Sequence, residues 1–297
     1  MKLRRPFLPL LAICISFTGS TPAATDQYWN PGGSGGDGIW GTGPGDKNWN
    51  LTAGAPAGNT TWLDAGDETA NFQTTVGGTV TVFDTVTTSG IALDGAAYTL
   101  NAGVITLVPD TAATTPFVNV QTGTLTVDSE LAGTSGLRKT GGGNLLLSGS
   151  NTYSGLTAVT AGTLNLTGSL AGTTVEISAG ASMLDSSGGL ANTAALTNSG
   201  ILTINAPDTI ASLTNNAGTV NGTATLTVTG ATVFNGGTLA APLTLNGTGG
   251  GTFANATLAG TFNGTAALDG ATVSGTLNGN TTSIGNTLVS GSLGGGS

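Results

Sequence analysis

From about residue 111 to residue 297, apolar and polar residues alternate in short runs separated by Gly, Asn and Ser, with scarcely a helical period anywhere. Alternation with a period of two predicts short β-strands that bury one face. The strands recur as apolar–polar–apolar triplets. Leu125/Val127 is followed by Leu145/Leu147, by Leu164/Leu166 and, after twice that interval, by Leu202/Ile204; Leu226/Val228 and Leu243/Leu245 continue the series with a drifting period. Between the apolar positions stand Thr126, Leu146, Asn165, Thr203, Thr227 and Thr244, all polar except Leu146. The flanking residues are therefore expected to point inward and these intervening ones to water.

Repeats of roughly 20 residues with no helix between them cannot each bury an apolar face alone, so every repeat is one coil that must stack on its neighbours. The predicted fold is all-β, a right-handed parallel β-helix (solenoid), with about nine coils over residues 111–297. An antiparallel sandwich would need longer strands and bulkier core residues to fill a gap of roughly 10 Å between its sheets. Residues 25–110 read as a separate Trp/Gly-rich N-terminal cap region. They hold all four tryptophans, Trp29, Trp40, Trp49 and Trp62, and include strand-like alternation at 79–83 and 104–108. Large aromatics suit a lid on the end of a stack.

Residues 1–24 have the layout of a secretory signal peptide: Lys2, Arg4 and Arg5, then an apolar run over 7–17, then small residues ending in Ala23 and Ala24. The run is too short to span a bilayer. Its removal takes away Cys14, the single cysteine, which excludes disulfide scaffolds, cysteine-ligated zinc and thiol enzymes from the mature chain. It also leaves only Lys47, Arg138 and Lys139 against fifteen acidic residues. So acidic a chain repels phosphate backbones and lacks the basic face that anionic membranes attract, so nucleic-acid and membrane-surface partners are not expected. A mean hydropathy of +0.21 with 7% charged residues is opposite to the composition of a disordered chain.

The absence of histidine removes the commonest general base and excludes Ser–His chemistry. Carboxylates are what remains, and their one dense cluster, Asp64, Asp67 and Glu68, lies outside the coil series, where a solvated acidic loop is the simpler expectation. Residues 32–40 fit the calcium nonapeptide G-G-x-G-x-D-x-U-x and make Asp37 the calcium candidate. Calcium takes six to eight oxygens, and in such rolls a site is shared between consecutive copies, of which this chain has one. Asn-x-Thr triplets at Asn50, Asn59, Asn165, Asn221, Asn246, Asn255, Asn263 and Asn280 read as turn residues followed by a strand-forming Thr. No catalytic residue and no cofactor is implied.

One stretch, residues 136–164, carries a denser pattern: Gly136-Leu137 with Lys139, then Gly141 and Gly143, Leu145 and Leu147, Gly149, Asn151 with Tyr153 and Gly155, and Gly162 with Leu164. The glycines are expected to supply the positive φ of a tight corner, Leu145 and Leu147 to enter the core, Asn151 and Gly155 to bend the chain, and Tyr153 to pack at the bend. The stretch resembles the autotransporter-associated β-strand repeat of bacterial autotransporter passengers. The resemblance implies an exported β-helical passenger or stalk, structural or adhesive, whose partners are host or neighbouring-cell surfaces or glycans. It also implies a membrane barrel beyond the C-terminus, of which residues up to 297 show no trace. The alternative is a secreted polysaccharide-binding or polysaccharide-cleaving β-helix that stacks sugars on its tryptophans.

Overall fold

The computed structural model describes residues 26–31, 35–54, 60–110, 114–172 and 174–294. The signal peptide and Gly32, Gly33 and Ser34 of the nonapeptide lie outside the described residues. The chain is a parallel β-solenoid. Its strands, mostly of two to five residues, fall into a 14-stranded sheet, a 13-stranded sheet and a third face made of sheets of three, two and six strands. Each circuit of the chain adds a strand to the first two faces. Pairing among the described residues is parallel except at the N-terminal edge, where Trp49–Asn50 runs antiparallel to Asp26–Trp29 and Trp49 bridges antiparallel to Thr60.

Parallel pairing of consecutive coils fixes the register, and the register builds the core. Strands one coil apart lie roughly 4.8 Å from each other, so an inward residue touches its equivalents above and below. Along the 13-stranded sheet this gives an unbroken column from Tyr98 through Leu125, Leu145, Leu164, Met183, Leu202, Val220, Leu239, Leu258 and Val273. All of these side chains are buried. The intervening Thr126, Leu146, Asn165 and Thr203 are half-exposed, as alternation requires.

The register corrects the tail of the predicted series. Leu226/Val228 and Leu245 do not continue the column above; they belong to Thr225–Val228 and Thr244–Gly247 on the third face, where Leu226 pairs with Leu245. The true successors of Leu202 are Val220 and Leu239. The drift in period came from stepping sideways onto another face of the same coil. The skipped coil between Leu164 and Leu202 is Ser182–Asp185, which places Met183 and Asp185 inward. Several Asn-x-Thr asparagines are strand residues and not turns: Asn165, Asn221, Asn246 and Asn263 all lie within strands.

Stacking also reaches N-terminal of residue 111. Thr69–Phe72, Gly78–Val82 and Thr85–Thr88 already form a three-faced coil that pairs with the next one. The four tryptophans pack inside this end. Trp49 meets Trp29, Trp40 and Trp62 at ring-centroid distances of 5.1, 5.1 and 4.7 Å, and Phe72 lies beneath them. Edge-on and tilted arrangements of this kind add about 0.5–1.5 kcal/mol per pair beyond area burial. Trp29 and Trp62 donate their indole N–H to the carbonyls of Gly36 and Thr87. Near the C-terminal end the circuit shortens: Leu239 to Leu258 is one turn, and so is the tighter Leu258 to Val273.

Two adjacent leucines in the strand Asn144–Leu147 test this geometry. Leu145→Ala should cost about 2–5 kcal/mol by opening a cavity in the column, whereas Leu146→Ala, on the outer face, should cost about 0.5 kcal/mol or less; denaturant unfolding of the two variants measures the contrast.

Candidate functional site

The motif at 136–164 forms one coil and starts the next. Leu137–Thr140 lies on the first face, Asn144–Leu147 on the second and Ser150–Asn151 on the third; Leu156–Val159 and Thr163–Leu166 repeat the first two one coil on. Leu137, Leu145, Leu147, Leu164 and Tyr153 are buried. The Tyr153 hydroxyl and the Thr157 hydroxyl hydrogen-bond at 2.8 Å in the interior, and burial raises the pKa of the phenol. Asn151 is a clasp across three coils. Its side-chain oxygen accepts from the Leu131 N–H, and its amide donates to the carbonyls of Gly149 and Ser169, each at 3.0 Å.

The glycines answer two different demands. Gly136, Gly141 and Gly162 have positive φ, a conformation that costs a side chain roughly 1 kcal/mol or more. Gly143, Gly149 and Gly155 are needed for space: a Cβ on Gly155 would stand 2.3 Å from the Gly136 nitrogen, in the coil below.

Lys139 is the unexpected member. It occupies an inward column position between Val118 and Val159 and is fully buried. Its ammonium donates to the carbonyls of Thr140, Gly141 and Ala161 at 2.8, 2.9 and 3.1 Å, matching its three N–H bonds to three acceptors at a corner. Burial pushes its pKa down to about 8.

Three acidic residues near the N-terminal end serve the backbone. Asp37 accepts the Thr79 N–H at 2.7 Å. Glu68, buried, accepts from the amides of Ala65 and Gly66, and Asp64 accepts from Thr87. Among the described residues no three of His, Cys, Asp and Glu gather as a metal-holding group. No helix among them is long and apolar enough to cross a membrane. The tryptophans are 0–2% exposed, so none offers a ring face to a sugar.

Two buried polar pairs were missed from the pattern. Asn198 and Asn215 stand in the first-face column between Ile177 and Phe234, and the Asn198 amide donates to Asn215 at 2.7 Å. Their signal was the repeated Leu-Thr-Asn at 196–198 and 213–215, whose inward asparagine breaks the apolar triplet. Asp185, in the skipped coil, lies near Asp208, whose carboxyl is pushed up to about 6 by burial, against the lowering effect of the Leu190 and Thr209 amides and with a smaller push from Asp185. Outside, charge is almost gone: after Lys139 the exposed ionisable side chains are Glu176 and Asp269.

Coil, corner lysine and clasp coincide with a known sequence family, since residues 137–166 match the passenger-associated-transport-repeat. Over those residues the chain is similar to the transport repeat. Over 179 residues, 58% of its length, it is 38% identical to the adhesin BmaC autotransporter of Brucella suis biovar 1 (strain 1330). It spans 5% of the length of that relative. No solved structure matches it. In this chain the matched stretch is one solenoid coil with the following two strands, and its polar members turn inward to close the corners.

Two measurements probe the repeat. Gly155→Ala should destabilise by at least about 2 kcal/mol through the clash with Gly136, while Gly142→Ala, whose Cβ would meet nothing closer than 3.8 Å, should cost about 1 kcal/mol or less. Stability should also respond to Lys139. Below pH 8 both folded and unfolded chains hold the charge; between about 8 and the ordinary 10.5 the folded chain releases its proton first, so stability rises with pH across that window. Lys139→Met should abolish the rise, read as the difference in urea midpoints between the two proteins from pH 7 to 11.

Proposed function

We propose that this chain is a segment of an exported bacterial passenger, a non-catalytic β-solenoid that serves as a stalk or adhesive surface outside the cell. The observation that carries this reading is the 38% identity to an autotransporter adhesin over 179 residues, on a chain that is a rod of stacked coils and matches the transport repeat at 137–166. The chemistry of the residues agrees. Asp37, Asp64, Glu68, Asp185 and Asp208 are engaged as backbone caps, His is absent and Cys14 is the single thiol, which leaves few of the groups that catalysis most often employs. A solenoid gains length by adding coils without changing its cross-section, which suits reach. Its outer face of threonine and asparagine, with two exposed charges after Lys139, suits contact with polar, uncharged surfaces of host or neighbouring cells. Export by residues 1–24 belongs to the same reading. The polysaccharide alternative loses its main motive, because the tryptophans it needs are buried.

Protease added to intact producing cells is expected to remove an epitope tag placed in an exposed outer turn such as 121–123, while a periplasmic control stays whole. The purified rod, immobilised, is expected to retain host or bacterial cells above a solenoid-free control. Protection of the tag on intact cells would exclude surface display, and retention equal to the control would exclude adhesion.

A further inference from the structure

Asp185 ends the strand Ser182–Asp185 in a column whose neighbours are Leu166 below and Ile204 above, and it is fully buried. Its Oδ1 accepts from the backbone N–H groups of Ser187 and Gly188 and from the Ser187 hydroxyl at 3.2, 3.1 and 3.3 Å. Its Oδ2 is buried with no donor. The corner so held packs on the next coil, where a Cβ on Gly188 would lie 2.3 Å from the Pro207 carbonyl oxygen. The adjacent Asp208, 7% exposed, accepts the Leu190 N–H through Oδ2 at 3.0 Å and the Thr209 N–H through Oδ1 at 2.6 Å. The two acids thus tie neighbouring points of one connection, Asp185 at Ser187 and Gly188 and Asp208 at Leu190.

A buried carboxyl oxygen with no donor is satisfied once a proton is supplied, and the second buried acid beside it has the same need to shed charge. No cation takes the proton's place, because no Lys, Arg or His follows Lys139 in the sequence. The elements packed around the two acids, Thr163–Leu166, Ile201–Ile204, Thr225–Val228 and the segments 186–194 and 205–210, contain no other ionisable side chain. Glu176 and Asp269, the remaining carboxylates of this half, are exposed.

We propose that Asp185 and Asp208 share one proton and form a pH-sensitive clasp where the third face of the solenoid resumes. That face has no strand between Ser169–Leu170 and Asp208–Ile210, and the connection across the gap is tied down by Asp185 to Ser187 and Gly188 and by Asp208 to Leu190. With the proton present, the orphan Oδ2 is satisfied and one net charge is removed from a dry corner. Without it, two anions face each other and the connection loosens. The Asp208 carboxyl, held near 6 against an ordinary 3.8, sets the window. Between these values the folded chain keeps a proton that the unfolded chain gives up, so the clasp's contribution falls as pH rises through the window and is flat above it.

Asp185→Asn separates the possibilities. The asparagine keeps Oδ1 for Ser187 and Gly188 and puts an N–H donor where Oδ2 now sits, aimed permanently at Asp208. The variant should match or exceed the parent in Tm at pH 7.5, and the parent should lose roughly 5 °C relative to it between pH 4 and 7. Carbon-13 carboxyl titration of the parent should show one of the two groups ionising well above the ordinary aspartate range. That titration alone decides the matter should the variant not fold. Parallel pH profiles for the two proteins, with both carboxyls titrating normally, would overturn the proposal. So would a rise in the parent's Tm on adding calcium or magnesium at pH 7.5 that chelator reverses, since the pair would then be a cation site.

Discussion

The structure depends on one constraint: each coil must hydrogen-bond in register with the coil before it. Parallel pairing leaves no freedom to choose an inward residue in isolation, because its Cβ sits roughly one strand spacing from the equivalents above and below. The column from Tyr98 to Val273 is the direct result. So is the reciprocal contact of Gly136 with Gly155, where two backbones in successive coils approach too closely for any Cβ. The tryptophan cluster answers the constraint at the first described coil, where large rings cover apolar surface that no other described coil buries.

Regular stacking carries a weakness, because a strand that slips by two residues keeps its apolar face inward. The buried polar side chains remove that degeneracy. Lys139 finds three carbonyls only at its present corner, Asn151 bridges three coils only in this register, and Asn198 and Asn215 satisfy each other only when one lies directly over the other. A slip would strand each of them, and a buried unpaired polar group costs roughly 1–3 kcal/mol. These residues contribute little net stability, and they select one alignment out of several.

Much of the fold was legible because alternation with period two and recurrence near 20 residues have few structural solutions, and the column Leu125, Leu145, Leu164 and Leu202 was read from spacing alone. What misled was the presence of several triplets in each coil. Leu226 resembles Leu202 in its local pattern and differs only in the face it occupies, which spacing along the chain does not encode. The inward polar residues escaped for a related reason. Asp185 and Asn198 sit at core positions, but a search for apolar pairs passes over them, and their partners lie a whole coil away in the sequence. The triad Asp64, Asp67 and Glu68 reads as a loop, yet Glu68 is buried by its bonds to two amides.

The near absence of charge beyond Lys139 gives the distal rod a particular character as a surface. Charged proteins keep one another at a distance and find partners through fields that extend about a Debye length, some 8 Å in physiological salt. Glu176 and Asp269 are too few to generate such a field. Anything that settles on this face does so at contact range, through hydroxyls, amides and shape, and equally well in dilute and in concentrated salt. The same neutrality removes the repulsion that would keep two rods apart lengthwise, so crowding many of them on one surface meets little electrostatic resistance.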